Sequence, residues 1–257
     1  MASPASVAAP AALLRLEGVE QFYGQKIRIL GPIDLEMREA EFLSLVGPSG
    51  CGKSTLLRIV AGVLTPTVGT VRMGGRPLKD VNTRAAMVFQ SFALFPWLKV
   101  VDNVAVGLES RGLPPRERLK KAQKYIDLVG LSGYERAYPR ELSRGMKQLV
   151  GLARALAVEP ELLCMDEPFS ALDVLTARTM RELVLDLWAS PVVMTKSILL
   201  VTHSIEEAVA MSDRVVVLKA NPGRIADEVD LRGLPRPRRP DLPQVRETVD
   251  RMYALLA

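Results

Sequence analysis

The stretch Glu41-Phe42-Leu43-Ser44-Leu45-Val46, followed at once by Gly47-Pro48-Ser49-Gly50-Cys51-Gly52-Lys53-Ser54-Thr55, decides the architecture of this chain. The first six residues read as a buried strand, short and mostly apolar. The next nine match a phosphate-binding loop, and a helix is expected from Lys53 to about Ala61. Glycines let successive backbone N–H groups curl around phosphate oxygens, and the helix N-terminus adds a favourable dipole. In such a loop Lys53 reaches the β- and γ-phosphates of a nucleotide and Ser54 holds Mg²⁺. A plain Gly-rich turn is the bland alternative, but the loop follows a strand and opens a helix, as the motif requires.

Further along, Leu162-Leu163-Cys164-Met165-Asp166-Glu167 sets four apolar residues before two acids. This describes a buried strand delivering carboxylates to its C-terminal tip, the edge where ligands sit in open α/β sheets. Asp166 is placed to support Mg²⁺ and Glu167 to orient and polarise an attacking water. Acids commonly follow strands, so this signal gains its force from the phosphate loop.

Between and around these motifs, Leu13 to Met37 reads as strands with a turn near Gly24, and further strands fall near Val71 and at Ala86 to Phe89. Residues from about Ser91 to Val158 read mostly helical, broken by Pro114, Pro115 and Pro139. A helix at Val174 to Leu187, a strand at Ile198 to Thr202, a helix at Ile205 to Met211 and a strand at Arg214 to Leu218 follow. Strands alternating with helices imply a mainly parallel sheet covered on both faces.

Composition narrows the class. The chain has 257 residues, 48% of them hydrophobic, enough for a substantial core. No apolar run approaches the ~18 residues of a membrane helix. Residues 1–12, rich in Ala, Pro and Ser, are expected to be disordered and lack the pattern of a signal peptide. Two cysteines, Cys51 and Cys164, give no disulfide framework. The net charge is +5, and Arg232, Arg236, Arg238 and Arg239 lie among prolines near the end. Such a stretch can meet nucleic acid or anionic lipid. Without interleaved aromatics it reads instead as a solvated, Pro-stiffened tail.

Six motifs in order resemble the ATPase subunits of ABC transporters, over about Leu13 to Ile225. Glu141-Leu142-Ser143-Arg144-Gly145-Met146-Lys147-Gln148 is similar to the family's signature, leucine-serine-glycine-glycine-glutamine. Arg144 stands where the first glycine falls and Met146 where the glutamine falls, the latter familiar among importers. Ser170-Ala171-Leu172-Asp173 resembles the D-loop, Gln90 the Q-loop glutamine and His203 the switch histidine. Tyr23 is similar to the aromatic that stacks on adenine. Bland readings stand beside these: a strand-packing tyrosine, a strand-end glutamine, a structural histidine, and helix caps at Ser143 and Asp173. Ser204 and Glu207, just past His203, are spaced as a capping box.

The resemblance implies an α/β fold of the P-loop NTPase (RecA-like) kind. It has a parallel-sheet core, an N-terminal antiparallel β subdomain and a helical signature subdomain. It divides the chain into an ATPase domain at 13–225, its helical subdomain at about 91–158, and a C-terminal extension at 226–257. It implies ATP and Mg²⁺ as ligands, with Lys53, Glu167 and His203 catalytic and Ser54, Gln90 and Asp166 at the metal. In this family Ser143, Arg144, Gly145 and Met146 act on the partner's ATP, so the chain is expected to pair with a second copy or a paralogous ATPase subunit. Transmembrane permease subunits and an external solute-binding protein complete such an assembly, at the cytoplasmic face of a bacterial inner membrane, with no nucleic acid.

Phe92-Ala93-Leu94-Phe95-Pro96-Trp97-Leu98, Thr195 to His203, and Asn221-Pro222-Gly223-Arg224-Ile225 resemble the importer group for nitrate, sulfonate, taurine and bicarbonate. Of 13 aromatic residues, Phe89, Phe92, Phe95 and Trp97 fall within nine positions. They are expected either to form a groove for a membrane partner's helix or to be ordinary core. The alternatives are an ABC ATPase for lipid or lipoprotein transport, and one associated with nucleic acid.

Overall fold

Side-chain alternation along two central strands sets up the molecule. The computed structural model describes residues 12–24, 26–239 and 241–256. In chain order it comprises β1 (Ala12–Tyr23), β2 (Ile27–Arg38), β3 (Phe42–Val46), α1 (Lys53–Val60), β4 (Val68–Met73), β5 (Arg76–Pro77), β6 (Ala85–Val88), α2 (Val100–Glu109), α3 (Pro115–Leu128), a 3₁₀ turn (Pro139–Glu141) and α4 (Arg144–Ala157). There follow β7 (Leu162–Asp166), α5 (Val174–Ala189), β8 (Ser197–Thr202), α6 (Ile205–Met211), β9 (Arg214–Lys219), β10 (Arg224–Asp230) and α7 (Pro243–Leu256).

One sheet runs β10-β9-β3-β8-β7-β6, parallel except for β10; the other runs β2-β1-β4-β5 and is antiparallel. Successive side chains of a strand face opposite ways. Leu163, Met165, Ile198 and Leu200 accordingly join a core with α2, α3, α4 and α5. Leu162, Cys164, Leu199 and Val201 join a second core with α1 and the antiparallel sheet. A strand buried on both faces needs an unbroken apolar run, as β7 and β8 have. The sheet thus separates an α-helical half from a nucleotide-loop half.

Three sequence expectations need correction. Residues 1–11 lie outside the described residues, but Ala12, grouped with the disordered N-terminus, is already in β1. The helical segment does not start at Ser91. Residues 91–99 form an irregular loop in which Phe92 and Ala93 take positive φ of 63° and 47°. Arg154 of α4 donates to the Ala93 and Phe92 carbonyls at 2.6 and 3.0 Å. The Asn103 side chain bonds both the N–H and the carbonyl of Phe95. Side chains, not a helical ladder, satisfy this backbone.

The boundary at residue 225 and the solvated tail are the third correction. β10 crosses that boundary and pairs with β9, while α7 packs through Val245 and Met252 onto α6 and β9. Arg238 is only 5% exposed and donates to the carbonyls of Leu231, Leu234, Val209 and Ser212. Arg236 pairs with Asp213 at 3.0 Å and lies over the Trp188 ring. Arg232 and Arg239 pair with Asp230 and Asp241. Arg236 and Arg238 staple the last segment to α6 and the turn after it, while Arg232 and Arg239 make exposed local pairs.

Candidate nucleotide site

The phosphate loop leaves β3 and turns into α1 at Gly52, the N-cap, with φ of 92°. A Cβ there would lie 2.4 Å from Leu30 Cδ2, so only glycine fits both the conformation and the space. Pro48, Ser49 and Gly50 form an exposed rim, while Cys51 and Thr55 are buried beneath it. Burial pushes the Cys51 thiol up, so it is a packing group rather than a nucleophile. Lys53 is buried and its Nζ donates to the carbonyls of Gly47 at 2.7 Å and Pro48 at 3.0 Å. The lysine therefore already points along the loop. Gly223 exchanges backbone hydrogen bonds with Ile29 and Gly31 of β2 and lies so close under the loop that a Cβ on it would be 2.1 Å from the Cys51 carbonyl oxygen.

Parallel pairing of β7 between β6 and β8 carries Asp166 and Glu167 to the same edge. Ser54 Oγ donates to Asp166 Oδ1 at 2.8 Å. Burial raises the Asp166 carboxyl, and the Ser54 hydrogen bond acts against that rise. Glu167 has a positive φ of 45°, and its N–H donates to the Val201 carbonyl at 2.9 Å. A left-handed non-glycine residue is uncommon and clusters at functional sites. Its Oε2 lies 3.2 Å from His203 Nδ1, at the end of β8. Gln90, two residues past β6, donates to Ser170 Oγ at 3.2 Å, and Ser170 Oγ donates to the Glu167 carbonyl at 2.9 Å. Lys53, Ser54, Asp166, Glu167, His203, Gln90 and Ser170 thus occupy one sheet edge. Tyr23 stands half exposed at the end of β1.

Ser143, Arg144 and Asp173 lie elsewhere, in the helical half. Ser143 caps α4 by accepting from Met146 N–H at 3.2 Å, and Arg144 beside it is exposed. Asp173 caps α5, accepting from Thr176 N–H at 3.0 Å and Oγ1 at 2.6 Å, which holds its carboxyl low. The two helix starts are adjacent: a Cβ on Gly145 would lie 2.6 Å from Thr176 Cγ2. Next to them Val174 and Leu175 are 81% and 75% exposed. Two anion-favouring helix ends and an apolar pair therefore share one open face.

Sequence reasoning missed two groups. Arg154, which holds the loop after Gln90, belongs to none of the motifs quoted from the sequence. Glu207 was read as returning to Ser204, but its carboxylate instead meets Thr202 and Arg181. Only its N–H follows the capping-box pattern, donating to Ser204 Oγ at 3.1 Å. Of the aromatic group, Trp97 is 70% exposed and Phe89 39%, while Phe92 and Phe95 are half-buried.

The model of the ABC transporter family matches residues 30–170. The chain is 48% identical over 223 residues to an uncharacterized ABC transporter ATP-binding protein of Methanocaldococcus jannaschii, covering 87% of this chain and 82% of that one. It is 46% identical over 199 residues to the nitrate import ATP-binding protein NrtD of Synechocystis, 77% of this chain and 74% of the relative. It is 48% identical over 202 residues to the taurine import ATP-binding protein TauB of Pseudomonas aeruginosa, 79% and 76% respectively. Its fold matches the ATP-binding cassette MJ0796, solved as a dimer in a post-hydrolysis state bound to ADP and Pi. There the TM-score is 0.76 at 32% identity, over 86% of this chain and all of that one. A chain that is 46–48% identical to three such ATP-binding proteins over the 199–223 aligned residues, and folds as an ATP-binding cassette, is itself a member of the ABC transporter family.

Proposed function

We propose that this chain hydrolyses ATP at a site completed by a second copy, and so powers import of a small anionic solute through separate membrane subunits. The observation that carries the reading is the edge cluster, where Glu167 sits between the Asp166–Ser54 pair and His203. Glu167 accepts a proton from the attacking water as its oxygen bonds the γ-phosphorus, while the bond from that phosphorus to the β–γ bridging oxygen breaks and ADP and phosphate are the products. His203, from the rigid end of β8, holds the γ-phosphate and orients Glu167. Lys53 and the loop from Gly47 to Thr55, through its backbone N–H groups other than at Pro48, bind the β- and γ-phosphates. Tyr23 offers its ring to adenine.

The donor set fits Mg²⁺, which takes one or two carboxylates plus phosphate oxygens rather than an all-protein cage. Ser54 and Asp166, already hydrogen-bonded to each other, with Gln90 at the rim, would hold it. The ion would neutralise charge on the phosphate oxygens. Ser143, Arg144, Gly145 and Met146 lie away from the chain's own phosphate loop, on the face shared with Asp173, Val174 and Leu175. That arrangement supports a head-to-tail pair in which each signature helix meets the other copy's nucleotide.

Among the described residues no helix is long and apolar enough to cross a membrane. We assign the chain a peripheral place on the cytoplasmic face of a bacterial inner membrane, against permease subunits. Trp97 and Phe89, both exposed in the segment around Gln90, are the apolar side chains we assign to that contact. A solute-binding protein delivers the cargo, and the kinship with nitrate and taurine import proteins points to a small anion of the nitrate, sulfonate, taurine or bicarbonate type. The test is ATPase activity of the membrane complex with a solute-binding protein loaded in turn with nitrate, taurine and bicarbonate. Stimulation by one of them supports the reading. Stimulation only by a lipid-loaded partner would assign the chain to lipid transport.

A further inference from the structure

His203 is the one histidine of the chain, and its side chain is 59% exposed. Its hydrogen-bond partner is Glu167. A ring so exposed takes its position from its own backbone. That backbone leaves β8 at Thr202 and enters α6 at Ser204, and both neighbours bond Glu207, Thr202 through the buried carboxylate and Ser204 through the backbone N–H. Thr202 Oγ1 donates to Glu207 Oε2 at 2.6 Å and accepts from Ser204 N–H at 3.1 Å. Glu207 N–H donates to Ser204 Oγ at 3.1 Å. Glu207 and Thr202 are 9% and 2% exposed. A carboxylate this buried requires a charge partner, and Arg181 supplies it, donating to Glu207 Oε1 at 3.0 Å. Arg181 lies on α5, the helix that Asp173 caps.

We propose that the Arg181–Glu207 pair is the mount of His203: acting through Thr202 and Ser204, it positions the imidazole against Glu167 and ties it to α5, the helix that begins on the face offered to a second copy. Arg181, Glu207 and Thr202 are positioning residues and touch no nucleotide. The inference rests on the proposed roles of Glu167 and His203. It gives a physical link between the start of α5 and the γ-phosphate edge of the same chain, since a shift of α5 moves the counter-ion on which the Thr202–Ser204 turn depends. Small misplacements of a catalytic group are costly, with about 1 Å worth up to ~100-fold in rate.

The lone histidine makes the test direct, because the ring ¹⁵N resonances of the full chain report His203 alone. In the wild type, Glu167→Gln is expected to move them, the carboxylate lying 3.2 Å from Nδ1. In Thr202→Val, nearly isosteric, and in Arg181→Met, that response should shrink by more than half. Thr202→Ser and Arg181→Lys, which keep the hydroxyl and the charge, should restore it. In the same variants kcat for ATP should fall about tenfold or more, with KM within about twofold. A ring signal that responds to Glu167→Gln equally in all backgrounds overturns the mount, as does a loss of thermal stability with kcat unchanged and no change in the ring. A ring response lost as expected while kcat stays normal sustains the mount and overturns the catalytic reading of His203. The two failures are therefore distinct.

Discussion

Ser54 Oγ donates to Asp166 Oδ1 across 2.8 Å, joining the first turn of α1 to the tip of β7. The two residues are 112 positions apart in sequence, and both belong to the proposed metal site. Burial raises the Asp166 carboxyl above its unfolded pKa of about 3.9. A carboxyl raised in the fold makes ionisation costly there. The cost is full above the folded pKa and is gone once pH falls below the unfolded one. Asp166→Asn is therefore expected to melt higher than the wild type at pH 7 without nucleotide, and to lose Mg²⁺-dependent hydrolysis. The melting advantage should shrink as pH is lowered towards 4. Thermal melts across that range check the sign, and a variant that melts lower at pH 7 would contradict it.

Arg238 illustrates stability carried by the tail. Its guanidinium meets four backbone carbonyls, and burial pulls its pKa down to about 10, so it stays charged at neutral pH. Arg238→Met leaves buried carbonyls without donors, at a cost of about 3 kcal/mol. For a chain of this size the melting temperature should drop by roughly 6–12 °C. Arg239→Met, at an exposed pair, should change it by less than about 2 °C.

Arg144 tests which groups at the start of α4 meet phosphate. Ser143 is the cap and Gly145 packs against Thr176, so close contact is left to hydroxyl and backbone, with the Arg144 side chain in solvent. An exposed charge is worth about 1 kcal/mol or less, up to tenfold in rate. Arg144→Gly should change maximal ATPase by less than about tenfold. A larger collapse, measured with the membrane subunits present, would make the guanidinium a phosphate ligand.

Trp97 is the most exposed aromatic of its cluster. Trp97→Ala should leave ATP hydrolysis by the isolated chain within about twofold and abolish its co-purification with permease subunits, an exposed aromatic being the kind of anchor an interface uses. Retained co-purification would place the docking surface elsewhere.

The phosphate loop and the acidic strand were legible because each is contiguous: strand, turn and helix follow within twenty residues, and two acids close an apolar run. The tail was not, because the partners of Arg238 include carbonyls of α6 nearly thirty residues away, and sequence shows charge but not what accepts from it. The loop 91–99 was misread as helical because its left-handed residues are Phe92 and Ala93, neither of which signals a turn. Glu207 misled in the same way. Its spacing from Ser204 fits a capping box, but a counter-ion on α5 captured the carboxylate.

The central claim is that Glu167 drives hydrolysis at a site shared between two copies. The decisive measurement is the sedimentation mass of Glu167→Gln with and without ATP and Mg²⁺, alongside its hydrolysis rate. Binding should persist and hydrolysis fall by at least ~100-fold, as for loss of general-base catalysis. The mass should double with ATP, because the shared contact dissolves only after the γ-phosphate leaves. A mass unchanged by ATP, or near-normal hydrolysis by this variant, would contradict the account.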